Sequence, residues 1–545
     1  MSAEFDDDTR QRRYWSYDYL RSATPNRVVR PKNLADLRAL LRGLAAHNAN
    51  NTPKLHASVR ASYNSLDGQA LNDDVLIDLC ARDDDNQLLR EYSRIGPIDT
   101  DGTIWVGAFA TFRPLLQHTV AHGWVPLSMP TGPDITIAGS IAAGGISRFS
   151  HVWGTEQAQV LALDVVTGDG VLHENVVRTD PLFRAVVAGH GWVGIILRAR
   201  LQLRRVCEPG QALFAETKLS KIERKSNQSR SEYYDGLLAA LFAAGRDAIE
   251  ARDAGKALFY DAQSMVGFLD ADTMLHYQSR WVTSVSANSR GALDIYSGLT
   301  PQRLVGEWAV SVPALRPIAA RIYFGRVQSG VYTNDWSPFA FFFEGNVELR
   351  RRLNSGVANP VAAELAATDQ DLQRGVARLL EASRAFASEV RTAAGVGQLY
   401  ALQQTHLFET RDASVQFLLS CRARLPTIKR DRPTVVDLLY LPGCADGPYL
   451  GTSGEHGGFA ITLGWQEILR SPSGMKEEQI LAGQLARDAE RLGGKVSMLK
   501  NLWCDRGLVR RVYGASSVEA FEAVRATHDP QSVLQNEFYQ RHLER

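Results

Sequence analysis

From Ala138 to Gly145, seven of eight residues are glycine, alanine or serine. So little side-chain bulk leaves the backbone open to close approach, which suits a flat ligand. The surrounding stretch, PTGPDITIAGSIAAGGISRFSHVWGTEQAQVLALDVVTGD from Pro130 to Asp169, reads as a small-residue loop flowing into a strand and a turn. A second ligand-binding candidate is the polar, small-residue connection from Ala61 to Gly68. Lys500, at a strand end, is a lone cation, and His406 and His151 are isolated histidines, a residue type that serves acid–base chemistry and structural hydrogen bonding alike. The chain shows no Ser/His/Asp or nucleophilic Cys constellation and no metal-ligand spacing. GHGWVG, Gly189 to Gly194, imitates a nucleotide fingerprint, but one glycine spacing at a strand entry does not imply NAD.

The elements that must position these groups belong to a chain of 545 residues, too long for one ordinary core, so two or more domains are expected. Apolar residues make up 45% and aromatics 9%, the balance of a soluble globular protein. A net charge of +1 provides no polyanion-binding field, which argues against nucleic acid. Cys80, Cys207, Cys421, Cys444 and Cys504 are scattered and odd in number, as expected of reduced, buried thiols in a cytoplasmic protein. The acidic N-terminus does not resemble a signal peptide, and no stretch offers the ~18 uninterrupted apolar residues of a spanning helix.

Along the chain, Arg27 to Arg30 reads as a strand, and Asn33 caps a helix from Leu34 to Ala46 with Leu37, Leu40, Leu41 and Leu44 on one face. Strands follow at Lys54 to Arg60, Val75 to Leu79 and Thr103 to Val106, then a helix from Phe112 to His122. Gln159 to Val166 and Val171 to His173 form a hairpin through Thr167-Gly168-Asp169-Gly170. Asp180 caps a helix reaching Val187, and Trp192 to Leu203 is a strand. Lys218 to Arg230 is charged and serine-rich, a boundary or flexible loop, before a helix from Ser231 to Ala254. The middle third is rich in aromatics; helices at 360–387 and 476–492 flank strands near Leu407, Val435 to Tyr440 and Phe459 to Trp465. The order gives an α+β fold.

GSIAAGGISRFSHVWGTEQAQVLALDVVTGDGVLHE followed by DPLFRAVVAGHGWVGIILRARLQL resembles the FAD-binding domain of the vanillyl-alcohol oxidase, or PCMH-type, flavoproteins, three blocks in the family's order. The wording around Ala143 to Ser147 and Ala185 to Ala199 is similar to cytokinin dehydrogenases. GGKVSMLKNLW and AVRATHDPQSVLQNEF resemble instead the decaprenylphosphoryl-ribose oxidase, alditol oxidase and aldonolactone oxidase branch. The resemblance covers about residues 20–205 and 455–545.

It implies FAD as the cofactor. The family holds the diphosphate on a tight R-G-S-G-H-S loop; here Val59 leads into Arg60-Ala61-Ser62-Tyr63-Asn64-Ser65, with Gln69 beyond. Asn64 falls where many members carry the histidine bonded to the flavin, and no cysteine lies between Cys80 and Cys207, so the FAD is expected to be non-covalent. Pro130, Gly132, Thr136, Ile137, Gly139, Ser140, Ala143, Gly144 and Ser147 are expected along the flavin and ribityl chain. Val193, Gly194 and Ile195 are expected on the adenine side, and Asn536 joins the cofactor set.

For catalysis the resemblance puts Lys500 beside flavin and substrate, where a cation would stabilise charge developing on the flavin. Gln403 resembles a substrate-side glutamine, and His406 is the candidate base. Glu344 and Tyr400 are expected in pocket walls. The acid of cytokinin dehydrogenases falls on Thr131, with Asp134 displaced by three, which argues against cytokinin-type amine oxidation.

The expected architecture is a two-part PCMH-type FAD-binding domain, residues 1–205 and 495–545, around a substrate-binding cap at 206–494 with an antiparallel sheet flanked by helices. The expected partner is a small-molecule substrate, without nucleic acid or integral membrane association, and a homodimer is left open. The expected reaction is hydride transfer to FAD from a C–H next to a hydroxyl, less so an amine, with oxygen or another acceptor receiving the electrons. A tailoring oxidase of an aromatic secondary metabolite and a non-catalytic flavin electron-transfer protein are the alternatives.

Overall fold

The computed structural model describes residues 6–7, 14–16, 21–62, 65–79, 86–130, 135–269, 272–289, 330–335, 400–424, 435–467 and 472–544. Its helices and largely antiparallel sheets make an α+β fold. Among these residues three main sheets are found.

The first sheet contains the parallel strands Arg27–Arg30, Val75–Asp78 and Ala57–Arg60, with Val75–Asp78 in the middle. Its helix Leu34–Asn50 starts where Asn33 accepts a hydrogen bond from the Asp36 N–H and buries Leu37, Leu40, Leu41 and Leu44. The burial of each such leucine contributes about 1.5–3 kcal/mol, which holds the helix on the sheet.

The second sheet is antiparallel, ordered Leu172–Val177, Val160–Thr167, Gly194–Arg205, Thr103–Gly107 and Ile95–Ile98. The Thr167–Gly170 turn forms as expected: the Thr167 N–H donates to Val171 O, and Gly170 takes a φ of +75°.

The third sheet has eight antiparallel strands, ordered Gly330–Asp335, Phe214–Glu223, Thr273–Val282, Ala262–Phe268, Val435–Leu441, Gly458–Glu467, Tyr400–Phe408 and Lys495–Val496. Helices Arg230–Asp253 and Arg411–Arg424 cover one face: Phe242 meets Tyr440 edge-on, and Phe417 packs on His406 and Phe408. After Val496 the chain returns to the first sheet, where the Ala57 N–H donates to Val533 O and the Gln535 N–H to Ala57 O.

Three expectations need correction. The small-residue ribbon is not a loop but the helix Ile137–Ala143, because alanine favours helix, Thr136 caps the start by accepting from the Gly139 N–H, and Gly144 ends it at φ +70°. Lys218 to Arg230 is no linker. Its first part completes the strand Phe214–Glu223, in which buried Thr217 and Leu219 alternate with the exposed Lys218, and Ser229 with Glu232 forms a capping box for the next helix. Cysteine burial also differs: Cys421 is buried, but Cys207 and Cys504 are half-buried and Cys444 is exposed. Among the described residues no helix is long and apolar enough to cross a membrane.

Candidate functional site

The ribbon helix presents two faces. Ile137, Ser140 and Ile141 are buried, whereas Gly139 is exposed and Ala138, Ala142 and Ala143 are partly so, a stripe that carries nothing beyond a methyl group. The helix end is fixed by the GHGWVG segment together with Ala188, the residue before it. The N–H groups of Ala188 and His190, both at positive φ, donate to the carbonyls of Ile141 and Ala142, at 3.0 and 2.8 Å. That motif therefore closes the ribbon helix, using backbone conformations that cost non-glycine residues energy.

Gly145, next along, is pinned from below. A Cβ there would lie 2.3 Å from Glu156 Oε2 and 2.7 Å from Ser140 Oγ, and the Glu156 N–H donates to Gly145 O at 2.9 Å. Glu156 is 1% exposed, and neither carboxyl oxygen has a hydrogen-bond partner among the described residues. Burial pushes its carboxyl up to about 8, against the opposing pull of the Lys500 ammonium.

Lys500 sits on a bend held from two sides. The Gln69 side-chain amide donates to Met498 O at 2.6 Å and to Lys500 O at 3.4 Å. The next residue, Asn501, exchanges hydrogen bonds with the Gln403 backbone, and the Leu502 N–H donates to the buried carboxylate of Asp67 at 2.8 Å. Asp67 in turn pairs with Arg21 and Arg541, which ties both ends of the chain to this bend.

Gln403, Thr405, Thr462 and Asp437 share one face of the third sheet by register, and Thr405 and Thr462 hydrogen-bond through their hydroxyls at 2.8 Å. On that face Leu407, Leu439, Leu441 and Ala460 pack against Ile146 of the ribbon segment. Asp437 Oδ1 is buried without a partner among the described residues. Burial raises its carboxyl to about 6, and Arg148 and Lys500 draw it back down. Arg148 lies over the Tyr277 ring at 5.0 Å.

His406 does not join this group. One residue out of phase with Thr405 and Leu407, it points to the helix-covered face, fully buried, its ring 4.3 Å from that of Phe417. Burial pushes its pKa down to about 3, so it is a neutral core residue and not the base. His151 is likewise buried, its Nδ1 3.0 Å from Arg148 O, and is lowered to about 4.

Among the other expected residues, Arg60 is buried and lies over the Tyr14 ring, while Val59, Ala61 and Ser65 are half-buried. The Ser62 hydroxyl accepts from the Thr136 N–H at 3.4 Å, which joins the first polar loop to the ribbon helix. Pro130 is buried, and Ser147 forms a hydroxyl pair with Ser128. Val193, Gly194 and Ile195 have backbone roles in the hairpin: Val193 O accepts from the Gly168 N–H, and the other two pair with Thr167 and Val166. Asn536 is a junction, with its amide donating to Gln69 O and its oxygen accepting from Trp192 Nε1 and the Tyr539 N–H. Tyr63, Asn64, Thr131, Gly132, Asp134, Glu344 and the Tyr400 side chain lie outside the described residues.

Sequence reasoning missed Glu156, Asp437, Arg148 and Asp67. Asp437 had a readable signal, a carboxylate inside the apolar run Val435 to Leu441, whereas Glu156 sits in an ordinary polar stretch.

A bulk-free helix face above unpartnered buried polar atoms, Glu156 Oε1 and Oε2 and Gln157 Nε2, fits a planar, polar cofactor. Residues 25–175 match the FAD binding domain family. Cytokinin dehydrogenase 2 of Arabidopsis thaliana is 31% identical over 193 residues, 34% of this chain and 36% of that protein. Cytokinin dehydrogenase 8 of Oryza sativa subsp. indica is 33% identical over 189 residues, 34% of this chain and 35% of that protein. An uncharacterized oxidoreductase in the fasciation locus of Rhodococcoides fascians is 28% identical over 183 residues, 33% of this chain and 38% of that one. The chain thus spans little more than a third of the length of these curated relatives. Residues 25–175 of this chain are thus an FAD-binding domain, and FAD is its cofactor.

Proposed function

We propose that the chain is a flavin-dependent oxidoreductase of the vanillyl-alcohol oxidase family that oxidises a C–H bond next to a hydroxyl and passes the electrons to oxygen or another acceptor. In this reading residues 1–205 and 495–545 hold FAD, and 206–494 form the cap over the substrate. The observation that carries it is the anchoring of Lys500, whose bend is fastened to the FAD-binding domain by Gln69 and to the cap sheet through Asn501 and Gln403.

FAD, when bound, supplies the hydride acceptor. The Lys500 ammonium counters negative charge developing in the cleft as hydride leaves the substrate. Asp437, on the same sheet face as Gln403 and ionised at neutral pH, takes the hydroxyl proton, while Gln403 and the Thr405–Thr462 pair orient the donor. FAD is held without a covalent bond, since Asn64 has no nucleophile to offer the flavin methyl group.

The likeness to proteins named cytokinin dehydrogenases favours a second reading, oxidation next to an amine, with the Asp437 carboxylate pairing an ammonium group. Anaerobic mixing of the FAD-loaded protein with alcohol, polyol and amine panels separates the two. Bleaching of the flavin by a hydroxylated compound, lost in Lys500→Ala with FAD retained, supports the first reading. Bleaching by amines alone supports the second, and bleaching by none removes both.

A further inference from the structure

Glu156 has no place in the reaction outlined above, yet its setting is unusual. Its side chain is nearly sealed from solvent, fills the space under Gly145 and Ser140, and lacks a hydrogen-bond partner at either oxygen among the described residues. A buried polar group without a partner is costly, so such a residue is retained where another molecule completes it. We propose that Glu156 is a proton-bearing cofactor residue: as a neutral carboxylic acid it donates a hydrogen bond to bound FAD, and loss of that proton weakens FAD binding and disfavours flavin reduction.

The groups around Glu156 fit that role. Lys500 is the cation whose field reaches it. The nearby histidine, His151 on the short helix Ser150–Trp153, is held neutral by burial. Arg178 spends its guanidinium on the carbonyls of Gln157, Ala158 and Val160, so it braces the segment from the outer side. The charges of Arg148 and Lys500 act together on the buried Asp437 carboxyl. Desolvation outweighs Lys500 at Glu156, and the carboxyl keeps its proton through neutral pH. Hydride arrival adds negative charge to the cleft, which a neutral acid tolerates and a carboxylate opposes.

The inference rests on FAD lying on the ribbon helix, and the test separates the two. The FAD dissociation constant is measured by fluorescence, and the flavin midpoint potential by dye-coupled reduction, across the alkaline range for wild type, Glu156→Gln and Glu156→Asp. In wild type, FAD affinity is expected to fall about tenfold as the acid ionises, the loss of one good hydrogen bond. The midpoint potential should bend downward over the same range, and in Glu156→Gln both curves should be flat there. A wild-type profile with no alkaline change overturns the proposal whether or not the variants fold, as does a Glu156→Gln profile that still falls like wild type. Wild type that takes up no FAD at neutral pH overturns the cofactor site itself.

Discussion

Asn501 and Gln403 close a reciprocal pair: the Asn501 N–H donates to Gln403 O at 2.8 Å, and the Asn501 side-chain oxygen accepts from the Gln403 N–H at 2.7 Å. Residues almost a hundred positions apart are thereby locked in register, and the residue before Asn501 is Lys500. The pair extends the third sheet beyond Lys495–Val496, so the lysine inherits the rigidity of a sheet edge while its other flank is tied to Gln69.

Asn501→Ala leaves the Gln403 N–H without its buried partner, and the expected cost is about 1–3 kcal/mol of stability. Urea denaturation at neutral pH checks it. An unchanged midpoint would mean that the pair is incidental to the bend.

Gly145→Ala drives a methyl group into Glu156 and Ser140 at 2.3 and 2.7 Å, so overpacking of about 1–3 kcal/mol and weaker FAD binding are expected. Gly210→Ala is the control, at a left-handed glycine with open space around it, where backbone strain acts alone. Thermal melts with and without FAD should show the ligand-dependent loss only in the first variant.

His406→Phe should leave flavin reduction and its pH profile unchanged, since the ring stacks on Phe417 beneath the covering helix. The sign of the stability effect follows from its lowered pKa. Between 6.5 and about 3 the unfolded chain binds a proton that the folded chain refuses, so stability falls as pH drops through that window. The acid limb of wild type should therefore be steeper than that of His406→Phe; identical limbs would contradict the burial argument.

Glu156 acts in the opposite sense. Its folded-state carboxyl binds a proton that the unfolded chain releases above the ordinary value of 4.5, so its contribution is full below 4.5 and is lost as pH rises toward about 8. Without FAD, Glu156→Gln should flatten the decline of melting temperature over that interval.

Much of this was legible in the sequence where one residue type performs one local task. Asn33, Asp180 and Thr167-Gly168-Asp169-Gly170 announced a cap, a cap and a turn, and each is found there. The ribbon was legible as a bulk-free surface but not as a helix, because a loop and an alanine-rich turn of helix share the same small residues. His406 misled because its type suggests proton transfer, whereas its strand phase, fixed by pairing with Ile461 on one side and Val496 on the other, decides which face it meets. Glu156 was hidden for a related reason: its neutral state comes from burial under Gly145, a contact between segments that nothing in its own neighbourhood records.

The central claim, that FAD lies on the helix Ile137–Ala143 and is held without a covalent bond, is tested most directly by titrating the purified protein with FAD and then precipitating it in acid. The account predicts saturable uptake of one FAD per chain, with the yellow colour released into the supernatant. No uptake, or colour that stays with the precipitated chain, would contradict it.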